Sequence, residues 1–138
     1  MNFEDKNFFK NFNFQKKEQN TEDQICKAES ELEIKFPKEL RKILLLYNGG
    51  NGKIGENYLD LWGIEDIVEF YQENMENGEN NLIPFATDGC GMAFALKKGS
   101  SEIRSIPMDS LEYRYSKECS SNFNDFICDL YLGDLFEY

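Results

Sequence analysis

The chain has 138 residues, 41% of them hydrophobic, which suits one domain with a packed core. Its 26 acidic residues outnumber 15 basic ones and give a net charge of -11, so the chain repels phosphate backbones and we expect no direct nucleic-acid binding. Because it has no histidine, the sequence excludes Ser-His and Cys-His catalysis and imidazole metal ligands.

The composition also predicts a cytoplasmic protein without a membrane span. No apolar run approaches the ~18 residues that a membrane helix needs. The first 17 residues carry acids and lack the apolar core of a signal peptide. The four cysteines lack the short spacings of zinc and redox motifs. We therefore expect reduced thiols that serve the structure, no metal and no cofactor.

The N-terminal residues 1–20 contain five phenylalanines, which seldom decorate a disordered tail. We expect a short helix or an extended segment here, packed on a domain core of about residues 21–132 within a single domain, 1–138. Thr21 and Gln24 form a capping box that starts the first helix. Its apolar stripe is Ile25, Ala28 and Leu32.

Pro37 suits the first turn of a second helix, where its missing N–H costs nothing. The apolar stripe of that helix has i, i+3, i+4, i+7 spacing. The glycines in Asn48-Gly49-Gly50 accept left-handed backbone and predict the end of the helix. The stripe comprises Leu40, Ile43, Leu44 and Tyr47.

A short strand over 57–62 and a third helix over about 63–74 follow, and Asn77-Gly78 is predicted to close that helix. Two further strands, 82–86 and 91–96, flank a turn at 88–91, and a third strand covers about 102–106. Ser121 or Asn122 caps a last helix. Helices at both ends of a strand meander indicate an α+β fold.

The negative charge is regional, since residues 54–96 hold nine acids and no base. Glu65, Glu69 and Glu73 recur on one face of the third helix, and such like-charged pairs destabilise a helix by about 0.2–0.5 kcal/mol each. Two interpretations stay open for this acidic row. It is a solvated face that aids solubility, or it is a surface that meets a basic partner. Bases from residues 97–117 could also fold beside it.

Five motifs in order resemble the SMI1/KNR4 (SUKH) superfamily, and together they cover about residues 21–132. Ala86 departs from the glycine that the family often has in its hairpin motif. Residues 1–20 and the C-terminal tail fall outside the resemblance. The motifs are LEIKFPKEL at 32–40, LLYNGG at 45–50, LDLW at 59–62, IPFATDGCG at 83–91 and FNDFI at 123–127.

The resemblance implies one α+β domain with a mixed, curved sheet of several strands flanked by helices. Many bacterial members are immunity proteins that bind and neutralise toxin domains, often nucleases, of polymorphic or contact-dependent toxin systems. Other members are regulatory interaction proteins, and an enzymatic role is not typical. The motif glycines and apolar residues have structural roles, and the Gly-rich turn at 49–52 lacks the context of a phosphate-binding loop.

Under this resemblance we predict a non-catalytic immunity protein whose acidic surface binds a basic toxin domain. Trp62 is equally compatible with a core position, because it joins a predicted strand. A regulatory scaffold without a toxin is the alternative function, and both a monomer and a homodimer remain open. The candidate toxin-binding residues are Tyr58, Asp60, Trp62, Glu65, Asp66, Glu69, Glu73, Glu76 and Asp88.

Overall fold

A computed structural model of the chain describes residues 8–15, 21–76 and 81–133. A four-helix, seven-strand arrangement runs through these ranges, with one 3-10 turn at Tyr113–Tyr115. The elements are β1 (Asn11–Phe14), α1 (Glu22–Leu32), α2 (Lys38–Leu46), β2 (Gly50–Ile54), β3 (Asn57–Leu61), α3 (Ile64–Asn74), β4 (Leu82–Thr87), β5 (Met92–Lys97), β6 (Ile103–Pro107), β7 (Lys117–Ser120) and α4 (Phe123–Leu132).

The seven strands form one open sheet in which their spatial order is their order along the chain. Every pairing is antiparallel, so the α+β class is confirmed, but the mixed sheet implied by the resemblance is an antiparallel meander over the described residues. Antiparallel neighbours need only short connections, and the longer ones here carry the helices. The chain thus forms a single α+β domain.

Side-chain caps start α1 and α4 as the sequence predicts. The Thr21 hydroxyl accepts from the Gln24 N–H at 3.2 Å, and the Gln24 side chain accepts from the Thr21 N–H at 2.7 Å. Of the two candidates for α4, Asn122 is the cap, because its Oδ1 accepts from the Asp125 N–H at 2.8 Å. These bonds satisfy donors that helix ends otherwise leave unpaired.

The prediction that glycine ends α2 in a left-handed conformation is wrong. The helix stops at Leu46, and Tyr47 caps it in an extended conformation rather than a left-handed one. Gly49 does adopt left-handed backbone, with φ +82, but it lies beyond the helix, and Gly50 already belongs to β2. Pairing with β1 and β3 places Gly50 and Gly52 in the sheet, which strand propensity alone does not favour.

Three elements were not predicted at all. β2 has the sequence GNGKI, whose glycines weaken intrinsic strand preference, and β7 is a four-residue strand of mostly polar residues. The 3-10 turn at Tyr113–Tyr115 is equally short. The predicted helix end at Asn77-Gly78 lies outside the described residues.

The N-terminal segment contributes an extended strand, one of the two conformations expected for it. β1 pairs with β2 along its whole length, and Phe8 and Phe12 are buried in the core. Phe14 stacks on Tyr47 with ring centroids 4.3 Å apart. This aromatic packing holds the segment on the sheet.

The centre of the core lies at β4 and β5, which are buried along almost their entire length. Phe126 of α4 packs edge-on against Phe94 and Phe85, with ring centroids 4.8 and 5.7 Å apart. The register of β4 shifts between Pro84 and Ala86, where the missing proline N–H would break a regular ladder. The carbonyl of the extra residue, Phe85, accepts from the Trp62 N–H at 3.0 Å. The irregularity therefore fastens β4 to the end of β3.

All four cysteines are free thiols. We expected four structural thiols, but only Cys128 is buried in the core. Cys119 is half-buried, while Cys26 and Cys90 are exposed. Burial raises the pKa of the Cys119 thiol, which keeps it protonated.

The β2–β3 hairpin is clasped by the last turn of α4. The Asn57 side-chain amide donates to the Leu130 carbonyl at 2.6 Å, and this carbonyl of the last helical turn also accepts from the Gly133 N–H at 3.3 Å. Gly55, in the two-residue hairpin turn, has φ +62 and lies directly against the backbone of Tyr131. A side chain at this position would force the hairpin and helix apart.

The clasp predicts that Gly55→Ala destabilises the protein well beyond the strain of left-handed backbone. Gly99→Ala is the matched control, because Gly99 has φ +75 and no atom within 4 Å of a Cβ built there. We expect Gly55→Ala to lower the free energy of unfolding by at least about 1 kcal/mol more than the control. Urea denaturation measures the free energy of unfolding of both variants. Equal losses of stability would show that the contact between the hairpin and α4 can accommodate a side chain.

Candidate partner-binding site

The exposed face of α3 carries the acidic row that the sequence predicts. Ile64, Ile67 and Tyr71 bury the opposite face, so Glu65, Glu69 and Glu73 point toward solvent. In the described part of the chain no basic side chain forms an ion pair with this row. Of the bases in residues 97–117, Lys97 and Arg104 pair with Glu102, and Arg114 pairs with Glu112. The alternative that those bases neutralise the row is therefore not supported.

A groove of about 380 Å³ gathers five of the nine candidate residues at the start of α3. Its polar wall is formed by four carboxylates without a lysine or arginine among the described lining residues. Phe70 and Leu61 add apolar surface, and Gln15, Asn48 and the backbone at Gly50 and Gly63 complete the lining. The five candidates are Asp60, Trp62, Asp66, Glu69 and Glu73.

Close backbone approach forms the floor of this groove. A Cβ on Gly49 would collide with the Leu61 carbonyl, and a Cβ on Gly63 would collide with the Asn48 side-chain amide. The junction between α2 and β2 thus rests directly on the junction between β3 and α3. This contact fixes where α3 begins and which of its acids face β3.

Trp62 combines both roles that the sequence left open. Its indole is half-buried and packs on Phe70, with ring centroids 5.0 Å apart, while it also lines the groove. Tyr71 belongs to the core, and its hydroxyl accepts from the Lys98 ammonium at 2.7 Å. Trp62 is therefore an aromatic surface presented beside carboxylates, an arrangement suited to a cationic side chain.

Asp60 is the least solvated acid of the groove. It lies in β3 opposite Asn51 on one side and Thr87 on the other. Burial raises the pKa of the Asp60 carboxyl, and the nearby negative charge of Asp66 raises it further. Both causes disfavour the ionised carboxylate, so a positive charge that enters the groove would stabilise it.

The other acids of α3 lie on different surfaces. Glu65 lines a second groove of about 370 Å³ between α1 and α3, together with Lys27 and Glu31. Glu69 borders both grooves. Glu76 is exposed beyond the end of α3 and lines neither. The predicted row therefore divides between two sides of the helix.

Asp88 and Tyr58 lie outside the acidic groove. The Asp88 carboxylate accepts from the Cys90 N–H at 2.7 Å and the Met92 N–H at 3.1 Å, so it organises the β4–β5 turn. Tyr58 is 43% exposed, and its ring occupies the space that a side chain on Gly89 would fill. Asp88 thus has a structural role that the sequence did not suggest.

Sequence reasoning missed Gln15, Asn48 and Phe70 as groove residues. Asn48 was assigned to a helix end, and Phe70 falls outside the apolar stripe of α3. Gln15 reaches the groove through backbone bonds: its N–H donates to Gly49 and its carbonyl accepts from Asn48, at 2.9 and 3.0 Å. No local pattern identifies such a contact.

Three other features of the described residues bear on function. A larger groove, about 800 Å³, lies between the α1–α2 connection, the β5–β6 turn and the start of α4, and it includes Ile34, Leu96 and Phe123. Across the described ranges, no group of three or more acids and cysteines is placed to hold a metal ion. None of the helices described has the length and apolarity to cross a bilayer.

The raised pKa of Asp60 predicts that Asp60→Asn stabilises the protein at pH 7. A proton binds Asp60 more tightly in the folded than in the unfolded state, so its charge costs stability above the raised pKa and this cost vanishes on acidification. We expect a gain of about 0.5 kcal/mol, limited by partial solvent exposure, that fades toward about pH 4. Glu56→Gln, in the exposed hairpin turn, is the control. Urea denaturation at a series of pH values measures the stability of both variants. An equal gain in stability for Glu56→Gln would contradict the raised pKa of Asp60.

Comparison with known proteins agrees with the fold and with the motif order. A search of curated proteins finds no match to this sequence. The profile of the SMI1 / KNR4 family (SUKH-1) matches residues 19–129, which include α1, α2, α3, most of α4 and all strands except β1. The chain therefore belongs to the SMI1/KNR4 family, SUKH-1.

Proposed function

We propose that this protein is an immunity protein that neutralises a cognate toxin by binding it through the acidic groove. The observation that carries the proposal is a concave site in which four carboxylates and an indole converge without a basic lining residue among those described. Membership in the SUKH-1 family, whose members are known as immunity proteins, supports the role. The protein acts by binding rather than by catalysis.

The groove suits a lysine or arginine side chain that projects from the toxin. Its volume is near the lower end of small-ligand sites, so it admits a side chain rather than a whole helix. The cation would lie over Trp62 and between carboxylates, where cation–π attraction and charge-assisted hydrogen bonds act together. Burial of Asp60 strengthens this attraction, because the local dielectric is lower than in water.

A nuclease is the toxin class that fits this chemistry best. Nucleases hold the phosphate backbone with lysine and arginine, and the same residues are attracted to a carboxylate groove. Binding there would compete with substrate or close the entrance to the catalytic cleft. The regional charge of the protein would also steer association, up to ~10⁸–10⁹ M⁻¹s⁻¹ at low salt, which suits a protein that must intercept a toxin in the cytoplasm.

Charge reversal of the groove tests this function. We expect Glu69→Lys with Glu73→Lys to weaken toxin binding by about 100-fold or more, since like charges then face the basic partner. Glu56→Lys with Asp109→Lys is the control, because it makes the same change in net charge at exposed positions that do not line the groove. Affinity and association rate are measured at two salt concentrations, with urea denaturation as the folding check.

The partner itself is identified by capture of the tagged protein from its native cells, at low and high salt, followed by mass spectrometry. A stoichiometric toxin domain, released by salt, would support the proposal. Equal affinities of the groove and control variants would place the interface elsewhere. Capture of housekeeping proteins alone would favour a regulatory scaffold, and the proposed immunity role would then be wrong.

A further inference from the structure

We infer that the partner surface of the acidic groove is completed from outside the family domain, by β1 and Gln15, and that Gln15 is a specificity-determining residue at the end wall of the groove. The family profile begins at residue 19, whereas Gln15, which lines the groove, directly follows β1. The inference deepens the proposed function and rests on it for the identity of the partner. Its geometric part can be tested without a partner.

The first observation is that β2 is shaped to receive β1. A Cβ on Gly50 would lie 2.6 Å from the Asn13 carbonyl and 2.7 Å from the Phe12 ring. A Cβ on Gly52 would also collide with β1, at 2.8 Å from the Phe12 Cα. Side chains at these two positions would displace β1. The pairing of β1 with β2 therefore requires glycine at both positions.

The second observation is that Gln15 is tied to the groove floor by its backbone. Its N–H donates to the Gly49 carbonyl at 2.9 Å, and its carbonyl accepts from the Asn48 N–H at 3.0 Å. Asn48 in turn places its side-chain amide against Gly63, the N-cap of α3. A chain of contacts therefore runs from β1 through Asn48 to the helix that carries Asp66, Glu69 and Glu73.

The third observation is that this wall is fixed by packing rather than resting loosely on the surface. Phe8 and Phe12 are at most 7% exposed, and Phe9 packs against Phe12 and Phe14 with ring centroids 5.6 and 5.2 Å apart. Gln15 is exposed and lines the groove. It is thus a neutral amide held at the rim of a negatively charged site, where it can contact a partner.

The consequence concerns selectivity among basic toxins. The carboxylates attract any cation, but a fixed end wall limits how far along the groove a side chain can extend. The Gln15 amide can donate to or accept from a neighbouring polar group of the partner. An SMI1/KNR4 domain without such a strand would leave this end open.

The partner-free test uses Trp62, the one tryptophan of the chain, as a reporter inside the groove. Caesium ions, which are attracted to the acids, quench its fluorescence, and Gln15→Lys should reduce this quenching. In water, a unit charge changes the concentration of cations on the order of 7 Å from it by about twofold to threefold at low salt. Asn11→Lys, an exposed change on the same strand outside the groove, should have a clearly smaller effect.

The partner test measures toxin affinity for the same two variants. Gln15→Lys should weaken binding by about tenfold, and Asn11→Lys by less than about twofold, because charge effects are strongest where the partner is close. Urea denaturation serves as the folding check. Should Gln15→Lys unfold the protein, Gln15→Ala is the second variant, since it keeps the backbone bonds and should still weaken affinity more than Asn11→Ala.

The outcomes separate the two proposals. Equal caesium quenching in the Gln15 and Asn11 variants would overturn the inference whatever the partner is. If charge reversal on α3 abolishes toxin binding while both strand variants bind equally, the inference is wrong and the immunity role stands. If the quenching difference is found but no toxin binds, Gln15 is confirmed as the end wall, and the immunity role is wrong.

Discussion

Three pieces of backbone meet around Asn48–Gly50 at distances that leave no room for side chains. The chain leaves α2, passes the end of β3 at Leu61, and is covered from the other side by β1. Glycine at these positions is required by contact as well as by the left-handed backbone of Gly49. Everything at the groove depends on this crossing, because it sets the relative position of the sheet and α3.

The repeated acids of α3 partly oppose the folding of that helix. Glu65 and Asp66 in its first turn interact favourably with the helix dipole, whereas the repeated glutamates repel one another. Burial of the opposite face at Ile64, Ile67 and Tyr71 outweighs that repulsion, since each fully buried side chain contributes about 1.5–3 kcal/mol. The acids are therefore tolerated at a modest cost in stability.

Much of this fold follows from local signals in the sequence, and the failures have physical causes. The Thr21 capping box, the Asn122 cap and the apolar run of β4 are local, so pattern reasoning finds them. β2 could not be found this way, because its glycines are favoured by the proximity of β1 rather than by strand propensity. The acids of the groove could be proposed from helix periodicity, but their grouping with Asp60, and the presence of Gln15 and Asn48, depends on how two chain junctions cross. Asp88 was assigned to the acidic binding surface, because the sequence shows its charge but not the two N–H groups from which it accepts hydrogen bonds.

The clasp between Asn57 and Leu130 also has a temporal aspect. The two residues are 73 positions apart, so during translation the β2–β3 hairpin leaves the ribosome long before α4 exists to hold it. At ordinary synthesis rates of about 5–20 residues per second, that interval lasts about 4–15 s. Throughout it, the groove floor is already synthesised while the helix that secures the hairpin is still missing. The acidic residues of the groove are thus synthesised several seconds before the contact that fixes the neighbouring hairpin can form.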